Sequence, residues 1–189
     1  MNCEAALERL SEIYPVSRET FRRLQIFAER VAEWQRKTNL IGPSTLDDIW
    51  ERHMADSLQC LAIKPHCKRW LDLGSGGGFP GLVIAACMAE VSDASVMLVE
   101  SNQKKAAFLR HAARRIGGPA EIYAERIQML DMKLLKPDVI TARALAPLPE
   151  LLHLSYPCLK NGVTGLFHKG REYREELRRC HGKWQFDLD

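Results

Sequence analysis

Residues 69–82 read RWLDLGSGGGFPGL, with five glycines inside eight positions directly behind the apolar run Trp70–Leu73. A short apolar run bounded by glycines reads as a buried strand that turns sharply. Glycine permits positive φ and lets another group approach the backbone closely, and Pro80 suits the first turn of a following helix. The same texture repeats downstream. Strands are expected at Trp70–Leu73, Ser95–Glu100, Ala120–Ala124, Asp138–Ala142 and Val163–His168, with a short one possible at Trp184–Leu188. Helices are expected at about 80–90, 102–116, 126–134, 147–156 and 170–181, the second ended by Gly117-Gly118. Strict alternation implies an α/β fold: a mostly parallel sheet with helices on both faces.

Upstream of about residue 65 the pattern is helical. Ser17 can cap a segment in which Phe21, Leu24, Phe27, Ala28, Val31 and Trp34 recur at helical spacing. Gly42-Pro43 interrupts it. Ser44 or Thr45 then opens a helix expected to run through LDDIWERHMADSLQCLAI, with Asp47 and Asp48 in its first turn. The division is therefore an N-terminal helical cap, 1–65, packed on the sheet of an α/β domain, 66–189. The net charge of +3 is mildly basic and steers a polyanion only if clustered. No apolar run approaches the roughly 18–20 residues of a membrane span, and the polar N-terminus has no signal-like core, so a cytoplasmic protein is expected. Six cysteines show no Cys-x-x-Cys and no zinc spacing, and read as reduced, small apolar residues rather than metal ligands.

Ligands of such sheets bind at the C-terminal ends of the strands. GGGFPG, 76–81, satisfies the dinucleotide pattern G-x-G-x-x-G, a weak signal among so many glycines. Asp72, Gly74, Gly76 and Gly78 also satisfy D-x-G-x-G-x-G, the pattern of Rossmann-like S-adenosylmethionine-dependent methyltransferases. An acid there would face the pyrophosphate of a dinucleotide, but would favour a cationic sulfonium and ammonium. Glu100, about twenty residues on, can accept hydrogen bonds from ribose hydroxyls, or serve as an acidic group at a helix N-terminus. In ERHMADSL, Arg52/Asp56 and His53/Ser57 are i,i+4 pairs. Arg143 leaves the fourth strand at its C-terminal end and faces the ligand crevice, or else pairs with a nearby carboxylate. Lys169 follows the fifth strand. The basic helix 102–115 reads first as a solvated face.

TNLI, RHMADSL, LDLGSGGGFPG, LVESNQKKAAFLR, AERIQ, VITARALAPL and FHKG occur in the order and rough spacing of one family. Over about residues 38–170 the chain resembles the bacterial small-subunit ribosomal RNA guanine-N7 methyltransferase G family, first named glucose-inhibited division protein B. The resemblance implies a Rossmann-like class I S-adenosylmethionine-dependent methyltransferase that modifies one guanine in a hairpin of 16S rRNA. By matching position it implies that Gly74 and Phe79 line the methionine and adenosine side of the cofactor. Ile127 and Gln128, where many members carry Ala-Glu, frame the adenine. Arg143 touches the cofactor, and Arg52 and His53 match an Arg-His pair that contacts RNA or cofactor. The sheet of this fold normally ends in a strand pair, the last strand antiparallel. Here WQFDLD falls about one strand short, so an incomplete C-terminal pair, with lower stability and activity, is expected.

Methyl transfer to N7 removes no proton, so no general base is expected; proximity and alignment suffice. A cation pressed on the purine would oppose the charge moving onto it, so Arg143 and Lys169 are expected on the cofactor carboxylate or on RNA phosphates. Arg22, Arg23, Arg30, Arg36 and the basic residues of 104–115 could track phosphate. The modest net charge implies weak affinity for free RNA and dependence on an assembling or assembled small subunit. Three other readings stay open: another S-adenosylmethionine-dependent methyltransferase, a nicotinamide-binding oxidoreductase favoured by GGGFPG, and a non-enzymatic RNA-binding descendant.

Overall fold

A computed structural model describes residues 3–185. Its centre is a five-stranded sheet: β1 (Arg69–Leu73), β2 (Ser95–Val99), β3 (Ala120–Tyr123), β4 (Val139–Arg143) and β5 (Thr164–His168). The strands are all parallel and lie in the order β3-β2-β1-β4-β5. Chain direction across the sheet therefore reverses beside β1, which opens a crevice at the C-terminal ends of β1 and β4. All five strands fall within a residue or two of the positions expected from the sequence. Of the possible strand at 184–188, Trp184 and Gln185 are irregular and the remainder lies outside the described residues.

Side-chain alternation splits the core in two. Trp70, Val96, Leu98 and Val139 face one layer, built from α2 (Arg18–Gln35), α3 (Asp56–Ile63), α4 (Gly81–Cys87) and α5 (Gln103–Ile116). Leu71, Leu73, Met97, Val99, Ile140 and Ala142 face the other, with α6 (Met132–Leu135) and α7 (Leu148–Leu159). Because both faces are covered, β1, β2 and β4 read as nearly continuous apolar runs. A short N-terminal helix, α1 (Cys3–Ser11), and a C-terminal one, α8 (Tyr173–Cys180), complete the order.

The caps explain where the helices begin and end. Ser17 accepts a hydrogen bond from the Thr20 amide at 3.0 Å and starts α2. Asn102 accepts from the Lys104 and Lys105 amides and starts α5, which Gly117 ends at φ 68°. Along α2, Phe21, Leu24, Phe27 and Val31 are buried. They rest on α4 and α5, so α2 packs chiefly over helices, whereas α3 reaches the sheet edge, where His168 Nε2 of β5 meets the Asp56 carbonyl. Phe27 sits at their junction, 4.9 Å from the Phe79 ring and 6.4 Å from the Phe108 ring. Truncating such a buried aromatic costs about 3–5 kcal/mol.

The uniform helix expected from residue 45 is absent. Pro43–Thr45 is a single 3₁₀ turn, and Trp50–Ala55 is π-helical before α3 begins at Asp56. Asp47 and Asp48 thus precede the helix instead of occupying its first turn. A π turn widens the spacing within the helix and re-aims its side chains, a distortion that often sits at functional sites. Among the described residues no helix is long and apolar enough to cross a membrane.

Candidate functional site

A cleft of about 750 Å³ opens at the C-terminal ends of β1, β2 and β4. Gly74, Gly76, Phe79, Glu100, Ile127, Gln128, Arg143 and His53 all line it. Residues separated by up to 90 positions in sequence converge there because parallel strands deliver every strand-to-helix turn to one edge.

The glycine turn forms the floor. Gly74 and Gly76 have φ of +65° and +52°, which side-chain-bearing residues rarely adopt. A Cβ on Gly74 would also stand 2.5 Å from Leu145 Cδ1. Gly78 differs from its neighbours: it does not line the cleft, and its bare side faces Phe27 Cζ and Leu82 Cδ1 at 3.0 and 2.8 Å. Its part is to let α4 approach α2.

Asp72 corrects the expectation of an acid in the crevice. The strand's two-residue alternation turns its side chain, with Trp70, away from Leu71 and Leu73 and into the layer beneath the glycine turn. There it is 1% exposed. Its Oδ1 accepts from Thr141 Oγ1 at 2.8 Å and its Oδ2 from the Gly81 amide at 3.3 Å. Burial pushes its pKa up from 3.8 to about 6, against the pull of the hydrogen bonds from Thr141, Ser75 and Gly81. Asp72 braces the start of α4 and is not a wall of the cleft.

Glu100 does line it. Its Oε2 accepts from the Gly76 amide at 2.9 Å and its Oε1 from the Asn102 amide at 2.7 Å. Each carboxylate oxygen has a second lone pair, so a ligand hydroxyl can still be accepted. Glu100 thus braces the backbone on two sides and presents a polar group to the cleft.

The opposite wall is the segment Asn39–Thr45. Gln35, the last residue of α2, holds it: Oε1 accepts from the Leu40 and Ile41 amides at 2.9 and 3.1 Å, and Nε2 donates to the Ile41 carbonyl at 2.8 Å. Sequence reasoning missed Gln35, since a glutamine at a helix end carries no motif. The wall lies hard against the floor, with the Leu40 carbonyl oxygen only 2.8 Å from where a Cβ on Gly77 would stand.

The third side comes from the π turn. His53 is buried, lies 4.8 Å from the Phe79 ring, and makes a 2.8 Å hydrogen bond between Nε2 and Thr45 Oγ1. Thr45 Oγ1 donates to the Gly42 carbonyl. It therefore accepts from His53, which puts the imidazole proton on Nε2. Burial first, then the Arg143 and Arg52 charges, lower the His53 pKa to about 4, so the ring is neutral at pH 7. The expected His53/Ser57 relation is a backbone one, with Ser57 Oγ donating to the His53 carbonyl.

Arg143 bridges the π turn and β4. Its Nη2 donates to the Arg52 carbonyl at 2.6 Å and lies 3.7 Å from Asp56 Oδ2, while its buried Nη1 has no partner. Asp56 thus pairs with Arg143 and not with Arg52, which is exposed and outside the cleft lining. Lys169 is committed elsewhere: its Nζ donates to the Ala146 carbonyl at 2.9 Å and contacts Glu176 Oε2 at 2.6 Å. It ties the end of β5 to the turn before α7 and to α8, where Glu176 meets its charge.

The arrangement combines bare backbone, a carboxylate with spare acceptors, an unpartnered guanidinium nitrogen and aromatic surface. It suits a ligand carrying hydroxyls and a carboxylate, seated at the glycine turn. Residues 20–188 match the family model described as rRNA small subunit methyltransferase G. The chain is 51% identical over 174 residues to a Ribosomal RNA small subunit methyltransferase G of Chelativorans sp. (strain BNC1), covering 92% of this chain and 83% of that protein. It is 49% identical to the protein of that name from Rhizobium rhizogenes over 92% of this chain and 85% of that one. With the Brucella ovis protein of the same name the match is 46% across 100% of this chain and 89% of that one.

Proposed function

The chain belongs to the rRNA small subunit methyltransferase G family, and from that premise we propose that it transfers a methyl group from S-adenosylmethionine to N7 of a guanine in 16S rRNA. The observation that carries this reading is the convergence of Gly74, Gly76, Phe79, Glu100 and Arg143 on one cleft. Residues 66–189 act as the transferase domain and 1–65 as its cap, in the cytoplasm, on RNA of an assembling or assembled small subunit.

The residues present fit the cofactor. Gly76 leaves the backbone uncovered where a ligand must approach it, while Gly74 makes the turn at φ +65° with its bare side against Leu145. Glu100 offers acceptors to ribose hydroxyls from a position fixed by two backbone amides. Ile127 and Gln128, in a 3₁₀ turn after β3, border the cleft where an adenine would be framed. Arg143 Nη1 supplies a buried donor for a carboxylate. When bound, S-adenosylmethionine supplies an electrophilic methyl group on a cationic sulfur.

Guanine N7 presents a lone pair and loses no proton, so the side chains of the cleft need only hold and align. His53 fits that role: neutral, with its Nε2 proton given to Thr45, it fixes the wall and backs Phe79 without placing a charge beside the purine. Arg143 is kept back from the purine by Asp56 and the Arg52 carbonyl.

Calorimetry with S-adenosylmethionine and NAD in parallel, followed by mass mapping of methyl groups on 16S rRNA from cells with and without the protein, tests the proposal. Binding of the sulfonium cofactor alone, and one guanine methyl that disappears with the protein or with Arg143→Ala, is expected. Binding of NAD in its place, or an unchanged methylation map, would overturn it.

A further inference from the structure

Helix α5 carries Lys104, Lys105, Arg110, Arg114 and Arg115 and no carboxylate. The entire chain has a net charge of only +3, so the rest of the molecule is net negative and the basic excess resides on this helix. Lys104, Arg110, Arg114 and Arg115 are exposed, while Lys105, half-buried, lines the cleft. Ala107 leaves the exposed stripe low at its middle. Fourteen residues at 1.5 Å each give a ridge about 21 Å long that starts at the mouth of the site.

Two comparisons within the molecule set this helix apart. On α2, Arg23 is paired with Glu19 and Glu90 and Arg30 with Glu29 and Glu33, while Arg18 and Arg22 form no ion pair among the described residues. On α8, Arg178 and Arg179 are paired with Glu175. None of the five cations of α5 forms an ion pair among the described residues. Helix stability does not explain all of them either. Arg114 and Arg115 suit the C-terminal turn, but Lys104 and Lys105 stand in the first turn against the helix dipole.

We propose that the exposed face of α5 seats an RNA stem, tracking the phosphates of one strand while the target guanine enters the cleft past Lys105. This rests on the reading of the cleft given above. It moves the phosphate contacts away from Arg23 and Arg30, whose charges are already met. An unstacked base presented beside its own stem is the form in which single RNA bases are usually read, and unpaired surface cations supply the sequence-independent part of affinity.

The test uses the full chain and a hairpin transcript of 16S rRNA that contains the target guanine, with a long or a shortened stem. In a K104Q/R110Q/R114Q/R115Q variant, affinity for the long-stem hairpin should fall roughly tenfold or more. The slope of log affinity against log salt should shrink by roughly one per charge removed. Shortening the stem should weaken binding to the parent and leave the variant nearly unaffected. R23Q/R30Q should behave as the parent, and calorimetry with S-adenosylmethionine should be unchanged in both variants.

Parental affinity and salt slope in the fourfold variant would overturn the proposal. So would lost turnover on assembled subunits with intact binding of naked RNA, since the face would then be docking a protein. A parent that binds the hairpin through these cations yet transfers no methyl to the hairpin or to assembling or assembled small subunits would support the ridge and refute the reading of the cleft.

Discussion

Replacing Asp72 by Asn removes a charge from the interior while keeping an acceptor for the Gly81 amide; Thr141 Oγ1 can turn to accept from the new amide. In the folded protein the Asp72 pKa is raised from 3.8 to about 6, chiefly by burial. Its folded form therefore holds its proton more tightly than its unfolded form. The native state is favoured below about pH 4, loses that advantage as pH rises through 6, and carries the full cost of the buried charge above it. At 1.36 kcal/mol per pH unit, a displacement from 3.8 to about 6 corresponds to about 3 kcal/mol. The assay is urea unfolding of parent and Asp72→Asn side by side, without cofactor, from pH 3.5 to 7.5. All other titrating groups are common to both proteins and largely cancel in the difference. The stability of the parent minus that of the variant should fall by about 3 kcal/mol across this range, nearly all of it between pH 4 and 6. A difference that does not vary with pH would refute the assignment of Asp72 as a buried, ionised brace.

Three further outcomes are expected. His53 has the opposite sign: its folded pKa of about 4 lies below the ordinary 6.5, so stability is retained above 6.5 and lost as pH falls toward 4. His53→Gln should abolish about 1–2 kcal/mol of the loss seen in denaturant midpoints between pH 7.5 and 5. Gln35→Leu should cost about 1–3 kcal/mol in unfolding experiments and weaken S-adenosylmethionine binding in calorimetry. Gln35→Glu, which keeps the acceptors for the Leu40 and Ile41 amides, should fall between. Gly77→Ala should lose about 1–3 kcal/mol by thermal melt and lower cofactor affinity, because its Cβ would meet the Leu40 carbonyl oxygen at 2.8 Å.

The strands were legible because β1, β2 and β4 are buried on both faces and read as nearly continuous apolar runs between turn residues, broken only by single polar residues such as Asp72 and Thr141. Helix α5 was legible at its C-terminal end, from Gly117. The floor of the cleft followed from glycine density, and Arg143 and Glu100 from their places at strand ends. What escaped was set by tertiary packing. A π turn at Trp50–Ala55 has no periodicity of its own to distinguish it from an α-helix. The position of Asp72 depends on which sheet face lies under the glycine turn, and spacing along β1 fixes only that it opposes Leu71 and Leu73. Gly78 and Lys169 look like ligand contacts in a motif, yet one admits α2 and the other meets Glu176, neither of which local sequence reveals. The helical segment 1–65 was legible as helices, but not as a contributor of one wall through Gln35.

That wall has a consequence for how the two halves of the chain can be separated. The vessel that receives the ligand is assembled from a base on the sheet and a side wall on the N-terminal helices, joined where the Leu40 carbonyl rests on Gly77. A fragment beginning at residue 66 would keep all five strands and the whole glycine turn, yet present an open dish. Grip on a small molecule would then depend on a partner that never touches the sulfur.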